Sequence, residues 1–109
     1  MFKGLNLMGQ IKDFQNKMTR LEEELESKTV EVSAGGGMVT VTANGKKELV
    51  NIKIDPQVVN PEEVEMLEDL ILAAANEALR RAQEMVAEEV TKLAGEFNIP
   101  GLKIPGLTS

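Results

Sequence analysis

A chain of 109 residues without one histidine, cysteine, tyrosine or tryptophan has few routes to covalent chemistry. Those absences remove the usual nucleophiles and most general bases. Carboxylates are plentiful, but Glu22, Glu23, Glu24 and Glu26, and then Glu62, Glu63, Glu65, Glu68 and Asp69, form runs that read as solvated helix faces. None has metal-ligand spacing. No enzyme activity, cofactor, metal site or small-molecule substrate is expected. Gly35-Gly36-Gly37 has the composition of an anion-cradling nest. No lysine-plus-hydroxyl motif follows it and no helix starts there, so it reads as a strand connection whose glycines supply positive φ. What the chain does offer is segregated charge. The net charge is −6, yet residues 1–20 carry Lys3, Lys12, Lys17 and Arg20 against Asp13 alone, a local +3. One end of the molecule is expected to be basic while the whole is acidic.

Those charges need elements to hold them. Residues 30–55 are the one stretch that reads as sheet. Val39, Val41 and Ala43 alternate with Met38, Thr40 and Thr42, and Val50, Ile52 and Ile54 alternate with Leu49, Asn51 and Lys53. That is the period of two of a strand with one apolar face. Asn44-Gly45 between the runs predicts a two-residue type I′ hairpin. Such a turn pairs Ala43 with Lys46, Val41 with Glu48 and Val39 with Val50, which places all six apolar residues on one face. Val30, Val32 and Ala34 offer a third strand, giving three antiparallel strands.

On either side the pattern is helical. Leu7, Ile11, Phe14, Met18, Leu21 and Leu25 form a narrow stripe over about residues 5–26, the pattern of a helix lying along another helix. Lys12, Asn16, Thr19 and Arg20 fall opposite that stripe, with Lys17 on its flank. After the sheet, Asp55-Pro56 stops the strand. Asn60-Pro61-Glu62-Glu63 starts a helix, with Asn as cap and Pro in the first position. Nothing interrupts it until Gly95. At 1.5 Å per residue it is roughly 50 Å long, more than a domain of this size spans. Its first half is broadly apolar and rich in Ala; beyond Ala82 the stripe thins to Met85, Val86, Val90 and Leu93. The second half therefore predicts an arm paired with the N-terminal helix. The tail from residue 96 to 109 contains Ile-Pro-Gly-Leu twice and is expected to be flexible or loosely docked.

This organisation bounds the protein to one domain: helical arm 1–29, sheet 30–55, long helix 60–95 and tail 96–109. No run is long enough to span a bilayer, and the absence of cysteine fits a reducing compartment, so a soluble cytoplasmic protein without membrane contact is expected. Two open sheet edges and an overlong helix call for a homodimer, joined through the sheet and the first half of the long helix.

The combination resembles the YbaB/EbfC family of bacterial nucleoid-associated proteins. The likeness rests on MGQIKDFQNKM, AGGGMVTVTANGKKELVNIKID and EMLEDLILAAANEALRRAQE, with a Pro-Gly-Leu tail. It implies an α+β protomer of order α-β-β-β-α and an intertwined, tweezer-like dimer whose helical arms grip duplex DNA. It also implies nucleoid localisation. The candidate DNA-binding residues it gives are Lys3, Lys12, Asn16, Lys17 and Arg20 on the first arm, and Arg80, Arg81 and Lys92 on the second. Phosphate contacts of that kind release counterions, so binding would be salt-sensitive and largely nonspecific. The plain alternative for each cation is a solvated helix face with nearby partners: Arg80 with Glu84, Lys92 with Glu88 and Glu89. The other function class is a dimeric adaptor or scaffold that clamps a protein helix between its arms and touches no nucleic acid.

Overall fold

The computed structural model describes residues 3–97, with side chains from Met8 to Glu96. The chain runs through α1 (Lys3–Ser27), β1 (Thr29–Ala34), β2 (Val39–Asn44), β3 (Leu49–Ile54), two short 3₁₀ turns (Pro56–Val58 and Pro61–Glu63) and α2 (Val64–Phe97). This is the expected α-β-β-β-α order. The long helix begins one 3₁₀ turn later than Asn60-Pro61 suggests and continues through Gly95 to Phe97. Asn60 still caps the entry, its side-chain oxygen accepting from the Glu62 amide at 3.0 Å. The tail expectation falls on residues 98–109, outside the described residues.

The sheet is antiparallel in the order β1-β2-β3. Its core forms where α2 crosses it. Val32, Val39, Val41 and Ala43 meet Ala74, Ala78 and Ala82, all buried. The three alanines recur every four residues, so they lie on one face of the helix. Their size lets the α2 backbone come close to the sheet, and Val39 and Val41 are sealed completely. Burial of each valine contributes roughly 1.5–3 kcal/mol. Gly35, Gly36 and Gly37 all take positive φ in the β1–β2 connection, as a tight strand connection requires.

The β2–β3 hairpin differs from the expected two-residue turn. The observed register pairs Ala43 with Leu49, Thr42 with Asn51, Val41 with Ile52 and Val39 with Ile54, and shifts between Thr42 and Ala43. Val50 is the extra residue, so Leu49, rather than Val50, shares the face of Ala43. The loop is longer than Asn44-Gly45. The Lys47 amide donates to the Asn44 carbonyl at 3.0 Å, and the Asn44 amide donates to the Glu48 carbonyl at 2.9 Å. Asn44 is buried, and its side-chain oxygen accepts from the amides of Lys46 and Glu48. The left-handed position falls on Lys47, at φ 61°, and Gly45 does not take positive φ. A three-residue turn with its left-handed residue last is a common alternative to type I′.

Gly45 is required for a different reason. Its amide donates to the carbonyls of Leu25 (2.8 Å) and Lys28 (3.1 Å), at the C-terminal end of α1. The last carbonyls of a helix have no partner within it. The hairpin tip therefore caps α1 and ties the arm to the sheet.

Candidate functional site

The second half of α2 leaves the sheet and pairs with α1. Lys17 bridges to Glu96 at 3.7 Å and Lys28 to Glu89 at 2.7 Å, so the two helices run antiparallel. Leu25 and Leu93 are buried in this seam, while Phe14, Met18, Leu21, Met85, Val86 and Val90 are partly buried along it. The expected narrow stripe thus does what its spacing implies. The molecule extends over 74 × 26 × 15 Å, much of that length being the two-helix arm.

Charge is unevenly distributed along the arm. On α1, from Met8 to Arg20, the ionisable groups are Lys12, Lys17 and Arg20 against Asp13; on α2, from Gln83 to Glu96, they are Glu84, Glu88, Glu89 and Glu96 against Lys92. The first stretch is positive and the second negative, while the last turns of α1 carry Glu22, Glu23, Glu24 and Glu26, so the cation excess on α1 is confined to its part before Leu21.

The ion pairs then separate the candidates. Arg80 is held by Glu77, with Nε to Oε1 at 3.0 Å, and by Glu84, with Nη1 to Oε1 at 2.8 Å. Arg81 Nε donates to Glu77 Oε2 at 3.1 Å. Hydrogen bonds from Arg80 and then Arg81 hold the Glu77 carboxyl below the ordinary glutamate range, and Glu77 in turn raises Arg80. Lys92 lies 3.7 Å from Glu89. The plain reading of those three residues, a helix face neutralised by neighbouring acids, is therefore what their geometry shows. Lys12 and Arg20 are exposed and form no ion pair among the described residues. Asn16 and Gln15 are exposed beside them. Lys17, on the flank, faces the α1–α2 seam and Glu96. Lys3 begins α1, and its side chain lies outside the described set. Lys12, Asn16 and Arg20 recur every four residues along α1; Arg80 and Arg81 stand on α2, where the arm leaves the sheet.

The Lys28–Glu89 contact is not legible in the sequence, because its members are separated by 61 positions and neither belongs to a motif. Glu89 is held below the ordinary glutamate range, chiefly by the hydrogen bond from Lys28. A carboxyl with a depressed folded value adds stability above its unfolded value, and that stability is lost as pH falls through the folded value. The arm is thus expected to loosen on acidification below the ordinary glutamate range. In Glu89→Gln that part of the pH dependence should disappear, as read by amide exchange across residues 83–96.

Among the described residues there is no cluster of His, Cys, Asp or Glu arranged to hold a metal ion, and no helix is long and apolar enough to cross a membrane. The described residues form a three-stranded sheet with a two-helix arm. The sequence pattern of the YbaB/EbfC DNA-binding family matches residues 1–97, and the chain belongs to that family. This is a family of nucleoid-associated DNA-binding proteins and not of enzymes. A nucleoid-associated protein of Syntrophobacter fumaroxidans is 60% identical over 107 residues, covering 98% of this chain and 97% of that protein. One from Moorella thermoacetica is 60% identical over 95 residues, covering 87% and 91%. The crystal structure of an uncharacterized Helicobacter pylori protein shares the fold at a TM-score of 0.63 and 25% identity, covering 76% of this chain and 96% of that one.

Proposed function

We propose that this chain acts in the nucleoid as a homodimer whose helical arms hold duplex DNA largely without regard to sequence. The observation that carries the reading is the contrast between the arm's cations: Lys12 and Arg20 on α1 are exposed and form no ion pair among the described residues, while the cations of α2 are matched by adjacent acids. Phosphates would meet the α1 side, with Lys12 and Arg20 as the main contacts, and Lys3 and Lys17 on the same helix. Asn16 and Gln15 would add hydrogen bonds to the backbone. Arg80, Arg81 and Lys92 would contribute less, because a phosphate must first displace a carboxylate from each. The net charge of −6 limits the overall affinity.

The dimer is supported by apolar surface that one copy leaves open. α2 covers β1 and β2 and barely touches β3. Leu49, Val50 and Ile52 on β3 remain 41–52% exposed, and on α2 Val64, Met66 and Leu72 remain 40–61% exposed. These are the sheet and the first half of the long helix, the surfaces a symmetric contact would use. Leu72→Glu combined with Ile52→Lys is expected to yield monomers. Sedimentation equilibrium at micromolar concentration should give the dimer for the native sequence and the 11.9 kDa species for the variant. A native sequence that sediments as 11.9 kDa would remove the two-armed grip.

The decisive experiment for DNA is a gel shift with random-sequence duplex, repeated from low to physiological salt. A shift that retreats steadily as salt rises is expected, since each neutralised phosphate contributes about −0.9 to the slope of log K against log salt. No shift at the lowest salt would end the DNA reading and leave the adaptor.

A further inference from the structure

Among the described residues, Lys47 is the only one other than glycine that takes positive φ, at 61°. A side chain in that conformation crowds its own backbone, and glycine fills such a position without strain. Strain that is kept where glycine would relieve it points to work done by the side chain. The fold itself makes no use of that side chain. It is exposed, and among the described residues it forms neither a hydrogen bond nor an ion pair.

The charges around it are engaged elsewhere. Lys46 Nζ lies 3.3 Å from Glu26, and the Glu48 carboxylate accepts from Asn44 Nδ2 at 3.3 Å. Both acids at the hairpin tip thus already have partners, and Lys47 keeps its charge. The turn that carries it is braced from two sides. The Lys47 amide donates to the Asn44 carbonyl, and the buried Asn44 side chain accepts from the amides of Lys46 and Glu48. The Gly45 amide holds the same turn against the end of α1. Lys47 is therefore a cation on a fixed backbone at the base of the arm, so less freedom is lost when it makes a contact.

We infer that Lys47 binds a phosphate of duplex DNA at the base of each arm, extending the contact surface from α1 onto the β2–β3 turn. The inference rests on the DNA reading of the arm and adds to it a residue outside both helices. An ammonium group meets a phosphate oxygen as a point charge and reads no base, so the contact suits a duplex of any sequence.

The test is a gel shift across salt, with urea unfolding alongside, on the full chain carrying Lys47→Gly, Lys47→Gln or Lys47→Arg. The first relieves the strain and removes the charge, the second removes only the charge, and the third keeps both. Lys47→Gly and Lys47→Gln are expected to bind random duplex at least threefold more weakly at low salt, with a slope shallower by about 0.9 for each phosphate released. Lys47→Arg should stay within twofold of the native protein. The urea midpoint of Lys47→Gly should equal or exceed the native one, so the weaker binder is no less stable, which a purely structural role would not produce. Lys53→Gln removes the same charge from the sheet face opposite Ile52, where Lys53 is exposed and unpaired among the described residues, and should change affinity less than twofold. Native affinity in Lys47→Gly and Lys47→Gln would overturn the inference. Equal weakening by Lys53→Gln would overturn it too, by showing an effect of overall charge. If Lys12→Gln with Arg20→Gln weakens binding while the Lys47 variants do not, the arm still holds DNA and only this inference fails. A native protein that shifts no DNA at the lowest salt ends both.

Discussion

Lys12→Gln with Arg20→Gln is expected to weaken binding to random duplex DNA at least tenfold at low salt, and to make the salt dependence shallower by about 0.9 for each phosphate no longer neutralised. In a dimer each substitution counts twice. The paired control is Arg80→Gln with Arg81→Gln, which removes the same formal charge. Its effect is expected to be several-fold smaller, because both guanidinium groups already sit on Glu77 and Arg80 also meets Glu84. Removing Arg80 and Arg81 also exposes acidic groups, so some weakening is expected even without direct contact. The informative quantity is the ratio of the two effects, measured by gel shift or fluorescence anisotropy across salt. Equal effects would move the contact surface toward α2. Lys12 and Arg20 are exposed and unpaired among the described residues, so unfolding should be the same in the variant as in the native protein.

Gly45→Val is expected to cost roughly 3 kcal/mol, read as a fall in the urea midpoint at unchanged slope. A Cβ at this position would stand 2.5 Å from both the Leu25 Cβ and the Leu25 carbonyl oxygen. The carbonyl is backbone at the end of a helix and cannot swing aside. The hairpin tip would have to withdraw, and with it would go the hydrogen bonds from the Gly45 amide that cap α1. Lys47→Gly provides the contrast in the same turn. Lys47 holds the left-handed conformation at φ 61°, which a glycine adopts without strain. That variant is expected to be neutral or more stable by up to about 1 kcal/mol. If Gly45→Val were harmless, the close approach of hairpin and helix would be wrong.

Much of this architecture can be read from residue spacing. The stripe from Phe14 to Leu25, the small residues Ala74, Ala78 and Ala82, and the alternation through Val39, Val41 and Ala43 each report a local period. A local period is a property of neighbouring residues, so it survives without coordinates. The excess of cations over residues 1–20, before the acids at Glu22 to Glu26, is legible in the same way. So is Arg80 with Glu84, because partners four apart on a helix face each other wherever the helix sits.

What required the tertiary structure is everything set by residues far apart in the chain. By residue type alone, Asn44-Gly45 suits a type I′ turn. The end of α1, which presses on Gly45 and takes its amide, makes the glycine necessary for close approach instead. The longer loop then places Leu49 opposite Ala43, where the short turn would put Lys46, and Ile54 opposite Val39, where it would put Val50. Likewise the α1 cations share one composition but not one environment. Lys17 falls beside Glu96 and Lys28 beside Glu89 only because α2 returns along α1, which leaves Lys12 and Arg20 without ion-pair partners among the described residues. Local periodicity determined the elements, and residue order determined where along each helix its charges fall. Long-range packing decided which of those charges are ion-paired and which are not among the described residues.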